Sequence, residues 1–274
     1  MATPDGPVTT SGTNYIDGLL WGVKWVTDAA NPVSYYLRNE GLTWNSTETT
    51  AFQNVLQSYA NVANVTFTVE NADTADLWAF KLSDADMTYY YGSGTLGAFV
   101  PPDSVNYPGD NDTFPYWWGV GAFNAELIPW TTASLQPGGF NYSIMIHELG
   151  HALGLAHPHD NGGTSSTYTD LGIGNLDTGL YTAMSYNDIG EWWNPYSSYS
   201  SADGWGTYGQ IATPMAFDIA ALQHIYGANT TYNTGDDHYS LLTDRYEAIW
   251  DAGGIDTITA AGFTGNVTID LNEG

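Results

Sequence analysis

His147-Glu148-Leu149-Gly150-His151-Ala152-Leu153-Gly154-Leu155-Ala156-His157 is the stretch from which the rest of this chain can be read. Two histidines four apart on a helix lie about 40° apart around its axis, so both rings reach one ion at Zn–N distances of roughly 2.0–2.1 Å. A straight helix cannot present the third ligand. Gly154 breaks it three residues after His151, so the chain can turn and bring His157 back beneath the metal. Three neutral imidazoles leave one position for water. Glu148 stands about 100° further round the helix, beside that position and not on the ion. Zinc lowers the pKa of bound water from about 15.7 towards 7. Glu148 is placed to take that proton, and its carboxyl then passes it to the leaving amine of an attacked peptide bond.

Outward from this helix, predicted over residues 141–155, the chain alternates strand and helix. Residues 33–38, 65–70 and 77–82 read as strands, and a helix runs from about residue 46 to 64 with Ser46 or Thr47 as cap and Phe52, Val55, Leu56, Tyr59 and Val62 as its apolar stripe. Residues 83–139 are dense in Gly, Pro, Asp, Tyr and Trp, and read as irregular loops with two strands near 97–100 and 119–124. After the loop-rich residues 160–205 comes a third helix, with Thr213 as cap, Pro214 in its first turn and Gly227 as its stop. The expected fold is α/β (α+β): a twisted, mostly parallel sheet with an antiparallel edge strand, three main helices and a loop-rich lower part. Residues 1–14 read as a flexible N-terminal segment, 15–228 as the peptidase domain, and 229–274 as the start of a β-rich C-terminal region.

Composition narrows the function classes. Thirty Asp and Glu against four Lys and Arg give a net charge of −26, which repels phosphate backbones and anionic lipid and suits calcium. There is no cysteine, so thiol catalysis, disulfides and thiolate ligands are excluded together. No segment approaches the roughly 20 apolar residues that cross a bilayer, and no Sec signal peptide is visible at the N-terminus. His159, His224 and His238 read as ordinary surface or hydrogen-bonded histidines. Eleven Trp and twenty Tyr raise a rival reading, a glycan-binding module with a structural zinc, but such a site has no use for a carboxylate beside an open coordination position.

The extended motif, with its glycine and third histidine, and Thr182-Ala183-Met184-Ser185-Tyr186 downstream resemble the zinc helix and Met-turn of the metzincins. His157-Pro158, residues 60–67, Met184-Ser185-Tyr186, residues 214–229 and the run Trp250-Asp251-Ala252-Gly253-Gly254-Ile255-Asp256-Thr257 resemble the serralysin family in particular. The resemblance implies a secreted endopeptidase acting on protein or peptide substrates. It implies that Met184 forms an apolar floor under the metal, and that Tyr186 ligates zinc at rest and swings away to stabilise the tetrahedral intermediate. It further implies structural calcium held by Asn233, Gly235, Asp237, Asp251, Gly253, Gly254 and Asp256. A monomer is expected, with a proteinaceous inhibitor as a candidate partner and neither nucleic acid nor membrane. Serralysins continue into glycine-rich β-roll repeats, and residues 229–274 read as a truncated beginning of that region.

Overall fold

The structure is a computed structural model that describes residues 2–70, 74–107, 117–187, 209–264 and 267. The end of the C-terminal region read from the sequence, 268–274, lies outside the described residues, as do parts of the loop-rich stretches.

β3 (Val33–Arg38), β4 (Phe67–Val69), β5 (Leu77–Leu82), β6 (Gly97–Phe99) and β7 (Val120–Asn124) form one sheet in the order β4-β3-β5-β7-β6. All pairs are parallel except β6 with β7, which makes β6 the antiparallel edge, as the sequence led us to expect. Strand alternation divides β5 between two cores. Leu77 and Ala79 face the main core, and Trp78, Phe80 and Leu82 face a smaller one with Met87 and Val120. Lys81, on the main-core side, places its ammonium 2.8 Å from both carboxylate oxygens of Glu48. That glutamate belongs to the N-terminus of α2 (Ser46–Val62). Its cap is Asn45 and not Ser46 or Thr47, because the reciprocal box requires a residue three before Glu48: Asn45 accepts from the Glu48 amide and donates its own to the Glu48 carboxylate.

The predicted stripe of α2 is buried, and Tyr59 on it donates a 2.6 Å hydrogen bond to the carbonyl of Ile146. Ile146 precedes His147 on α4 (Phe140–Ala152), so this bond fixes the metal-site helix against the sheet. α4 ends in a Schellman turn: the Leu155 amide donates to Gly150 and the Gly154 amide to His151. Gly154 has φ +93°, and a Cβ there would stand 2.5 Å from the carbonyl oxygen of Val23. Only glycine fits.

Three elements depart from the sequence reading. The segment read as flexible contains β1 (Thr3–Pro7), paired antiparallel with β2 (Val23–Val26). An unforeseen helix, α3 (Asp84–Tyr91), follows Ser83, whose hydroxyl accepts from the Asp86 amide. The third main helix, α5 (Ala216–Tyr226), is capped at Met215, not Thr213. The Asp218 carboxylate takes the Met215 amide, and the Thr213 hydroxyl accepts from Ala248 instead. α1 (Asn14–Asp17) is a single turn packed on α5. Beyond α5, β8 (His238–Ser240) pairs in parallel with β9 (Thr257–Thr259).

Candidate metal centre

His147 and His151 project from one face of α4, and the turn at Gly154 returns His157 to meet them. The His157 Nε2 lies 3.1 Å from that of His147 and 2.9 Å from that of His151. Each ring is held through its other nitrogen. His147 Nδ1 donates to the Ala183 carbonyl at 2.7 Å, His151 Nδ1 to the Leu155 carbonyl at 2.9 Å, and His157 Nδ1 to the Asp160 carboxylate at 2.8 Å. Carbonyl and carboxylate oxygens can only accept, so the protons sit on Nδ1 and three Nε2 lone pairs face one point. Such an arrangement repels itself unless a cation stands among the lone pairs, and a tetrahedral zinc needs nitrogens only about 3.3 Å apart. The residues fit the metal.

Electrostatics agree. Burial, helped by the neighbouring His157, pushes His147 down to about 3; burial holds His151 well below the usual histidine range, and it lowers His157 although Asp160 pulls the other way. All three are neutral at physiological pH, the form in which an imidazole can ligate a metal. The sequence reading passed over Asp160, although a carboxylate three residues after a ligand was a usable signal. Replacing Asp160 by Ala is expected to weaken zinc binding roughly 10- to 100-fold, measured by competition with a chromophoric chelator. An unchanged affinity would show that His157 orients itself without help.

Glu148 is buried beside the triad, and burial raises its pKa to about 8. It packs on the edge strand so closely that a Cβ at Gly97 would lie 2.6 Å from its Cγ and 2.7 Å from Oε1. Gly97, in the stretch from 97 to 101 that the sequence suggested as the peptide-pairing edge, thus borders the site, although its contact with Glu148 had no sequence signal. The two residues border a cleft of about 410 Å³, whose other lining includes His147, Ala183, Tyr186 and Ile211. One wall of it, residues 209–213, is held on both sides. The Gln210 amide donates to Gly138, while Gly209 and Ala212 donate to Asp244 and Tyr246 and the Tyr246 amide returns a bond to Gln210. The C-terminal region thus forms the outer layer of the cleft wall, across the boundary drawn at 228.

Met184 is fully buried, and a Cβ on Gly150, the residue before His151, would sit 2.6 Å from its sulfur. The turn that carries it is gripped by Asp218 of α5, wholly buried, whose carboxylate accepts from Thr182 Oγ1 at 2.6 Å, the Ala183 amide at 2.7 Å and the Met215 amide at 2.8 Å. Burial raises Asp218 to about 6 against the pull of these donors, which leaves it ionised at neutral pH. Asp218 therefore holds, through its amide, the residue whose carbonyl orients His147. Tyr186 follows the turn with its ring 5.4 Å from His147 and 4.7 Å from His157.

The calcium set is also brought together. Carboxylate oxygens of Asp237, Asp251 and Asp256 come within 4.8 Å of one another. Gly253 donates its amide to Asp251, and Gly254 lies so close to Gly235 that a Cβ would overlap its carbonyl. Asn233 has φ +46° and donates its side-chain amide to Tyr239.

A parallel sheet with an antiparallel edge, over a helix and turn that converge three histidines beside a glutamate and above a buried methionine, defines a metzincin-type zinc peptidase domain. Comparison with known proteins narrows the class. The Matrixin family model matches residues 24–170, and the Peptidase M10 serralysin C-terminal model matches residues 216–274. The metallopeptidase AprA of Pseudomonas marginalis is 34% identical over 239 residues, covering 80% of this chain and 45% of the relative. Serralysin of Proteus mirabilis is 31% identical over 245 residues, with coverage of 80% and 45%, and serralysin C of Dickeya chrysanthemi 33% over 237 residues, with 80% and 44%. This chain belongs to the serralysin family. It spans under half the length of the relatives it matches.

Proposed function

We propose that the protein is a secreted zinc-dependent endopeptidase that hydrolyses peptide bonds in proteins, with His147, His151 and His157 as zinc ligands and Glu148 as the proton carrier. The observation that carries this reading is the convergence of three Nδ1-anchored imidazoles with a buried carboxyl in one cleft. When bound, zinc supplies Lewis acidity towards water and the scissile carbonyl. Glu148 takes the proton of the attacking water and delivers it to the leaving nitrogen, the same carboxyl serving first as base and then as acid.

The substrate lies along β6. Bonds from the Asn124 amide to Leu96 and from the Val100 amide to Val120 join β6 to β7 at even-numbered residues. Antiparallel alternation then directs the backbone groups of Gly97 and Phe99 to the free edge, where an extended peptide pairs beside Glu148. Tyr186 donates a hydrogen bond from its neutral phenol to the oxyanion. Met184 serves as the floor. Protein or peptide chains are the substrates, the working state is a monomer, a proteinaceous inhibitor fits the cleft, and neither nucleic acid nor membrane takes part. No helix among the described residues is long and apolar enough to cross a membrane.

The test is casein cleavage. Activity is expected to vanish with a zinc chelator and to return on adding zinc; cleavage indifferent to both, or absent from folded, zinc-loaded protein, sinks the proposal. Asn233, Gly235, Asp237, Asp251, Gly253, Gly254 and Asp256 bind structural calcium, as their hard oxygens and tight glycine turns suit. Calcium at 100 times its Kd is then expected to add about 2.7 kcal/mol of stability, read as a higher Tm, and Asp251→Asn to remove most of that gain. A Tm that does not respond to calcium counts against the site.

A further inference from the structure

The geometry points to His159 as a positioning residue for Tyr186: its ring, stacked on the ligand His157, sets where the phenol stands relative to the metal ligands. This rests on the reading of Tyr186 as an oxyanion donor.

Tyr186 is 68% exposed, so its side chain is steered by few neighbours. Among the described residues three rings meet it, those of His147, His157 and His159, and His159 is nearest at 4.5 Å. Two of the three are held by their duty as ligands. His159 alone stands outside the triad whose Nε2 atoms converge, and it lies nearly parallel to His157, with centroids 4.8 Å apart and 16° between planes. An offset stack of this kind transmits position, because the ring cannot tilt without losing contact on one face.

The surroundings tie this ring to the backbone of Tyr186. Asp177 Oδ1 accepts a 2.5 Å hydrogen bond from Ser185, whose hydroxyl oxygen accepts the Asn187 amide at 3.0 Å; the Asp177 carbonyl accepts from the Asn187 side chain at 2.9 Å. Asp177 thus holds the residues on both sides of Tyr186. Its other oxygen stands 3.9 Å from His159 Nδ1, a buried nitrogen with no hydrogen-bond partner. Asp177 thus stands beside both the ring that Tyr186 leans on and the residues that flank Tyr186.

The test compares His159→Ala, His159→Phe, Tyr186→Phe and the pair His159→Ala/Tyr186→Phe, each zinc-loaded, on a fluorogenic peptide. His159→Ala is expected to lower kcat about tenfold with KM and zinc content unchanged, His159→Phe to restore the rate to within about twofold, and the pair to be no slower than Tyr186→Phe alone. In copper(II)-loaded protein, the phenolate-to-copper absorption should weaken in His159→Ala and recover in His159→Phe. A slow Tyr186→Phe beside a His159→Ala at parental speed, or effects that add in the pair, overturns the role of His159. Tyr186→Phe at parental speed overturns the Tyr186 reading instead, and the copper band then decides whether His159 positions the ring.

Discussion

Glu148→Gln is expected to reduce casein turnover by about 10²- to 10⁴-fold while bound zinc stays at the parental level. The substitution changes shape by almost nothing in a place that tolerates almost nothing: the carboxyl is buried and pressed against Gly97. An amide keeps the packing and loses the capacity to carry a proton. The three imidazoles are anchored through Nδ1 to Ala183, Leu155 and Asp160, independently of Glu148, so zinc affinity should not change. Turnover retained within a few-fold would remove Glu148 from its assigned place. Loss of zinc together with activity would show that Glu148 supports the ligands and not the reaction.

The second large effect concerns stability. Asp218→Ala leaves Thr182 Oγ1 and the amides of Ala183 and Met215 without an acceptor in a fully buried site. At about 1–3 kcal/mol for each orphaned donor, partly relieved by relaxation or an entering water, the loss is expected to be about 3–5 kcal/mol. A urea titration should show the midpoint fall with little change in slope. The damage should reach the three histidines as well, because Ala183, released at its amide, is the residue whose carbonyl orients His147. Asp218→Asn, which retains an acceptor oxygen, should lose less. A stability change under about 1 kcal/mol for Asp218→Ala would mean that the Met-turn holds its shape without this carboxylate.

Much of this architecture was legible because the sequence carries it in strong local patterns. β3 and β5 run over the residues that β-branched and aromatic composition marked out, and the stripe of α2 is the one its spacing gave. α3 escaped because it has no stripe to read: Met87 is its one buried residue, and three tyrosines crowd its end. β1 escaped because Pro4, Gly6 and Pro7 look like a loop, and the strand is held by pairing with distant residues. Within the site, spacing could reveal His147, Glu148, His151 and His157, whose side chains meet there. It could not reveal the acceptors behind two of them, since Leu155 and Ala183 act through carbonyl groups that every residue possesses. The contact of Gly97 with Glu148 was invisible for a related reason. The glycine contributes an absence of side chain, opposite a glutamate fifty-one residues away in the chain.

Because residues 244–248 lie alongside residues 209–213, the tail and the catalytic half of the molecule are not exchangeable parts. A protein cut back to residue 228 would keep every histidine that meets the metal, yet it would lose the backing layer behind Gln210 and Ile211. Swapping in a foreign tail is therefore expected to disturb the cleft wall at Gln210 and Ile211 before it disturbs the three histidines.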